Sequence, residues 1–113
     1  MSPADARAMY RRQLVPGETV SLVRGFGSPN ARQVDGLPGR MLKAGELLVA
    51  GLMQGERVLL LLAEDVAASD LVAPQIHDRV LWNGKALAVT FVDDAKRRVA
   101  GELIAYELSL AGA

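Results

Sequence analysis

Two adjacent carboxylates, Asp93 and Asp94, close the stretch "RVLWNGKALAVTFVDD" that begins at Arg79. A carboxylate pair is the minimal machinery for acid–base hydrolysis, one acid donating a proton while the other activates water or attacks. That chemistry needs both groups on the same side of a substrate. Neighbours on a strand point to opposite faces, so this doublet fails the requirement. Asp also favours turns, where its side chain bonds nearby backbone N–H groups, and the pair reads as the polar end of a hairpin.

The other chemistry-bearing residues fare no better. His77 is the one histidine, and neither a ligand cluster nor a Gly-x-Ser-x-Gly elbow accompanies it. The "GFGS" at Gly25 could begin a phosphate cradle, but that fingerprint needs a third glycine and a helix opening directly behind it. Pro29-Asn30 follows instead. With no cysteines, disulfides, thiolate ligands and cysteine nucleophiles are excluded. The reading is therefore of a protein that is not an enzyme and takes no cofactor or metal. A small hydrolase would need His77, a Ser and an Asp gathered by folding alone.

Charge points the same way. Thirteen basic residues balance 13 acidic ones in 113 residues, which gives no bulk pull toward nucleic acid or anionic membrane. Two local basic groups stand out: Arg7, Arg11 and Arg12 near the N-terminus, and Lys96-Arg97-Arg98 near the C-terminus. Each could touch phosphate or an acidic protein surface. Of the five aromatics, Trp82 and Phe91 are assigned to the core, leaving no stacking platform for single strands. The N-terminus lacks the apolar core of a signal peptide, no run is long enough to span a bilayer, and synthesis in a cytosol is expected.

These residues must be positioned by a single small domain, residues 1–113, of which half are hydrophobic. Ser2-Pro3-Ala4-Asp5 has the form of a helix start, with Ala6, Met9, Tyr10 and Gln13 on one face and Pro16-Gly17 as the stop. The helix is expected within residues 1–15 and the β core within 18–110. Glu18–Arg24 alternates as a strand. Residues 25–39 hold four glycines and two prolines, and predict a long loop. Arg57–Ala63 reads as a buried strand that Leu47–Met53 could pair with across Gln54-Gly55, unless "AGELL" forms a helical turn instead; a short helix within Glu64–Asp70 and a connector through Pro74 follow.

The strongest local signal is Asn83-Gly84, which favours a type I′ hairpin turn. That register sets Val80 opposite Leu87 and Trp82 opposite Lys85. Alternation then places Val80, Trp82, Leu87, Val89 and Phe91 on one buried face. A last strand carries Ile104, Tyr106, Leu108 and Leu110 on one side. The fold class expected is mainly β, a small antiparallel β-barrel with a short N-terminal helix and a long loop.

The segments "QGERVLLLLAEDV" and "HDRVLWNGKALAVTFVDDAKRRVAGELIAYELSL", with "ADARAMYRRQL" and "GETVSLVRG" before them, resemble the head–tail joining proteins of tailed bacteriophages and prophages, the head-closure or stopper group in particular. The shared pattern is a strand opening "D-[R/K]-V", a turn such as "NGK", a strand ending "V-D-D", a polar tip and a closing strand. The resemblance implies a β-barrel that assembles as a homo-oligomeric ring between the portal-side adaptor and the tail. It would be made in the bacterial cytoplasm and housed at the virion's head–tail junction. Its partners would be portal, adaptor and tail proteins, with channel DNA as a further contact and no membrane. On this reading the assembly contacts fall on Arg7, Arg11 and Arg12, on Phe26, Ser28, Asn30 and Arg32 in the loop, and on Lys96, Arg97 and Arg98. The alternatives are another tail component, such as a terminator or tail-tube subunit, and a small nucleic-acid-binding β-barrel.

Overall fold

Six antiparallel strands close a barrel in the computed structural model, which describes residues 1–43 and 57–112. In chain order the elements are α1 (Pro3–Leu14), β1 (Glu18–Arg24), β2 (Arg32–Lys43), β3 (Arg57–Leu62), α2 (Ala63–Ala67), β4 (Arg79–Trp82), β5 (Lys85–Asp93), β6 (Arg98–Val99), β7 (Glu102–Leu103) and β8 (Ala105–Ala111). Around the barrel they run β1-β2-β3-β8-β5-β4, and β4 pairs back onto β1. Closure leaves no open sheet edge among these six strands. The expected class, a small mainly β barrel with a short N-terminal helix, is what the chain adopts.

The helix starts as its sequence directs. The Ser2 hydroxyl accepts from the Asp5 N–H at 3.1 Å and the Asp5 carboxylate accepts from the Ser2 N–H at 3.4 Å, with Pro3 in the first turn. Ala6 and Leu14 are buried, Met9 and Tyr10 half-buried, and Gln13 is exposed, so Leu14 takes the place expected of Gln13. The helix packs on β2, β3 and β6. This explains why β3 is apolar from Val58 onward: Leu59 and Leu61 fill the barrel, while Val58 and Leu60 are buried outside that core cluster and need an outer cover.

The long loop expected at residues 25–39 is much shorter. The β1–β2 connection is Gly25–Ala31, and Arg32–Gly39 belongs to β2. The glycines that suggested a loop do other work. The β1–β2 register slips by one between Val20 and Leu22, and Gly36, with φ of 71°, lies in that bulge. Gly39 faces Leu61, where an added Cβ would sit 3.0 Å from Leu59 Cδ1 and 3.1 Å from the Leu60 carbonyl oxygen. Composition therefore mimicked a loop where backbone geometry wanted glycine inside a strand. The Leu47–Met53 strand lies outside the described residues; β3 pairs with β2 and β8.

The β4–β5 hairpin has the expected turn, with φ of 49° at Asn83 and 75° at Gly84, and the expected pairs Val80–Leu87 and Trp82–Lys85. Val80, Leu87 and Val89 are buried, and Trp82 packs against the same cluster. Phe91 departs from the expectation. The β5–β8 register slips between Val89 and Phe91, which sets Phe91 opposite Ser109 and leaves it 55% exposed. Val92 packs against the core in its stead. One extra residue inverts every face beyond it. On β8, Leu108 and Leu110 are fully buried and Tyr106 packs beside them. Val66 of α2 and Leu71 of the connector join the core at the rim where β3 ends.

Candidate assembly surface

The basic residues that looked available for partners are largely held by the chain's own acids. An Arg7 Nη donates to Glu102 at 3.1 Å. Arg11 is bonded to Glu64 and, at 2.8 Å, to Asp65, tying α1 to α2. Those bonds, Asp65's foremost, raise the Arg11 pKa above its usual value. Arg97 donates to Glu107 at 3.0 Å and to the Tyr10 hydroxyl at 2.8 Å. Its burial works to lower the pKa, but Tyr10 and Glu107 more than offset this and the pKa is raised. Lys96 Nζ lies 3.5 Å from the same buried Glu107. Arg98 donates to the backbone oxygens of Asp94 and Gly101, bracing the β6–β7 hairpin. Of the seven basic candidates, Arg12 and Arg32 have no side-chain ion pair or hydrogen bond among the described residues.

The loop candidates are all exposed: Phe26, Ser28, Asn30 and Arg32. The tip is ordered by its own bonds. The Ser28 N–H donates to the Gly25 oxygen, the Ala31 N–H to the Ser28 oxygen, and the Asn30 N–H to the Ser28 hydroxyl at 3.0 Å. Gly25 and Gly27, with φ of 76° and 83°, turn Phe26 outward. Its ring is 51% exposed and lies under the Arg79 guanidinium, 5.5 Å from the centroid.

Arg79 opens β4, and the segment before it is built around one ion pair. Arg24 grips Asp78 through two bonds of 3.0 and 2.9 Å, and it also donates to the backbone oxygens of Leu71 and Ala73. Asp78 is buried and accepts from the Gln75 N–H at 2.8 Å. A buried charge held this way cannot lose its partner cheaply. The connector that Arg24 holds shows backbone strain: Val72 has φ of 64° and His77 φ of 79°. A β-branched residue in that region is an outlier. Val72 and Ile76 are nonetheless 63% and 50% exposed, so the fold gains little from their side chains.

Phe91 falls on this side of the barrel. The His77 N–H donates to the Val89 oxygen and the Val89 N–H to the Asp78 oxygen, which carries the β4–β5 ladder back beyond Arg79. His77 and Asp78 thus both stand opposite Val89, and the Asp78 N–H donates to the Gln75 oxygen, so the chain before His77 turns instead of continuing the ladder. Phe26 in the β1–β2 loop, Ile76 in the connector and Phe91 on β5 are each about half exposed. Reading the sequence for periodicity missed Ile76 and Phe91, because a bulge leaves no trace in apolar alternation and a connector has no alternation to read.

Of the carboxylate doublet, Asp93 holds the turn that follows β5, while the Asp94 side chain is exposed. Asp93 Oδ1 accepts from the N–H groups of Ala95 and Lys96, both at 3.0 Å, and these bonds lower its pKa. His77 is exposed, and no cluster of three metal-ligating side chains occurs among the described residues. A second surface feature is an open groove of about 590 Å³ along α1, lined by Ala8, Arg11, Arg12, Val15 and Pro16. No family model, curated protein or solved structure matches the chain.

Proposed function

We propose that this chain is a head–tail joining subunit of a tailed bacteriophage or prophage, a head-closure protein that works by assembling between the portal-side adaptor and the tail. The sequence pattern around "DRVLWNGKALAVTFVDD" supports the reading, as does the compact barrel it belongs to. The observation that carries it is the exposure of Phe26, Ile76 and Phe91 on a closed barrel, since a protein that acts by docking needs apolar surface that its own fold leaves uncovered. Arg12, Ser28, Asn30 and Arg32 are exposed and could frame such contacts. The nucleic-acid reading is weakened because Arg7, Arg11 and Arg97 are engaged with Glu102, Glu64, Asp65 and Glu107.

The test is genetic and visual. Delete the gene from the prophage that carries it, induce, and image the lysate by electron microscopy. The joining role predicts heads and tails that accumulate separately, restored to whole particles by the gene supplied in trans. Whole particles in normal yield without the gene would overturn the proposal.

A further inference from the structure

We infer that residues 73–76 form a strained strap that opens while the barrel stays closed, with Val72 and His77 as its hinges and Arg24 as its latch. The inference concerns the single chain and does not depend on the joining role.

Two tight turns bound the strap, and each sets an ill-suited residue at its left-handed position. The Ala73 N–H donates to the Leu71 oxygen at 2.6 Å across Val72, whose φ is 64°. That is the γ-turn of positive φ, the rare and strained form, and a β-branched residue suits it poorly. The Asp78 N–H donates to the Gln75 oxygen at 3.1 Å, with φ of 79° at His77 and none positive at Ile76. Those are the marks of a type II turn, whose third position calls for Gly or Asn. Strain of this kind persists only where surrounding contacts enforce it.

Side-chain burial enforces little here. Val72, Gln75, Ile76 and His77 are exposed, Ala73 is half-buried, and Pro74 is buried. The polar contacts converge on one side chain. Arg24 donates to the Ala73 oxygen at 2.6 Å, and it holds Asp78, whose carboxylate accepts from the Gln75 N–H at 2.8 Å. Both flanks are fixed independently of the strap. Leu71 lies in the core and its N–H donates to the Ser69 hydroxyl. The Asp78 oxygen accepts from the Val89 N–H, and β4 begins at the next residue. Opening therefore lets go the Ala73 oxygen and the Gln75 peptide group while Arg24 stays paired with Asp78. No bare buried charge is created, so the heaviest cost of opening is avoided. The closed form with strained turns and the open form with an intact barrel are two states of one chain.

Hydrogen exchange of the full chain, followed amide by amide in low urea, tests this. The amides of Ala73, Gln75 and Asp78 report on the strap; those of β3, paired on both sides, report on the barrel. The strap amides should be about 100-fold less protected than the β3 amides and nearly insensitive to urea, as a local opening exposes little surface. Equal protection with equal urea dependence would overturn the strap as a separate unit. Val72→Gly and His77→Gly each relieve one turn. Each should raise the ratio of strap to β3 protection about threefold, even after glycine's added freedom in the open form. An unchanged or lowered ratio in both would overturn strain as what sets the opening. Arg24→Lys keeps a charge beside Asp78 but loses the fork that also reaches Ala73, and the same ratio should fall about tenfold. A ratio that does not fall would overturn Arg24 as the latch.

Discussion

On the α1 side of the barrel, arginines that resemble handles for partners are held by the chain's own acids. On the β4–β5 side, aromatic and branched side chains that resemble core face water. The two sides differ in what their residues do for the fold. Arg7, Arg11 and Arg97 fasten α1, α2 and the β6–β7 hairpin to one another through partners far away in sequence. Phe26, Ile76 and Phe91 fasten nothing of comparable weight. Residue type alone is thus a poor guide to where a small barrel meets its neighbours. The better guide is whether a side chain already has a partner inside.

Removing an internal fastener should cost stability in proportion to the burial of what it leaves behind. Arg24→Ala strands the buried Asp78 and releases the connector, and should cost about 3–5 kcal/mol in urea unfolding. A cost under about 1 kcal/mol would mean that water replaces the pair and that the connector is held by something else. Among the described residues, Arg97→Ala leaves Glu107 with the 3.5 Å Lys96 contact and should cost about 1.5–3 kcal/mol. Arg7→Ala removes a pair whose members are 34% and 56% exposed, and the loss should stay within about 1 kcal/mol. Equal losses for Arg97 and Arg7 would erase the distinction between a fastener and a surface pair.

A smaller effect belongs to Asp93. Its folded pKa is lowered by the Ala95 and Lys96 N–H groups, so its contribution is present above the unfolded carboxylate pKa and fades as pH falls through the folded value. The window therefore lies below about pH 4. Asp93→Asn should flatten the acid limb of the melting temperature against pH there, while leaving the neutral region little changed. An unchanged acid limb would show that those N–H bonds do not persist in solution.

The sequence was most legible where one local rule decides the outcome. Ser2, Pro3 and Asp5 set the start of α1, and Asn83-Gly84 set the β4–β5 register, because capping boxes and type I′ turns are short-range physics. It was misleading where a single inserted residue redirected a strand. Gly36 sits in one bulge and reads as loop; Phe91 follows another and reads as core. The ion pairs were illegible for a different reason: Arg7 and Glu102, or Arg11 and Glu64, meet only because the barrel closes and α1 packs across it. The candidate surface was half visible. The exposed tip from Phe26 to Arg32 was singled out from its glycines, but the exposure of Phe91 followed only from the strand register.

The most direct measurement is the urea midpoint of Phe91→Ser. If Phe91 belongs to the outer wall, the variant unfolds within about 0.5 kcal/mol of the unaltered protein, as a surface change does. A loss of about 3–5 kcal/mol, the cost of emptying a core aromatic site, would put Phe91 back inside the barrel and dissolve the contrast between the two sides.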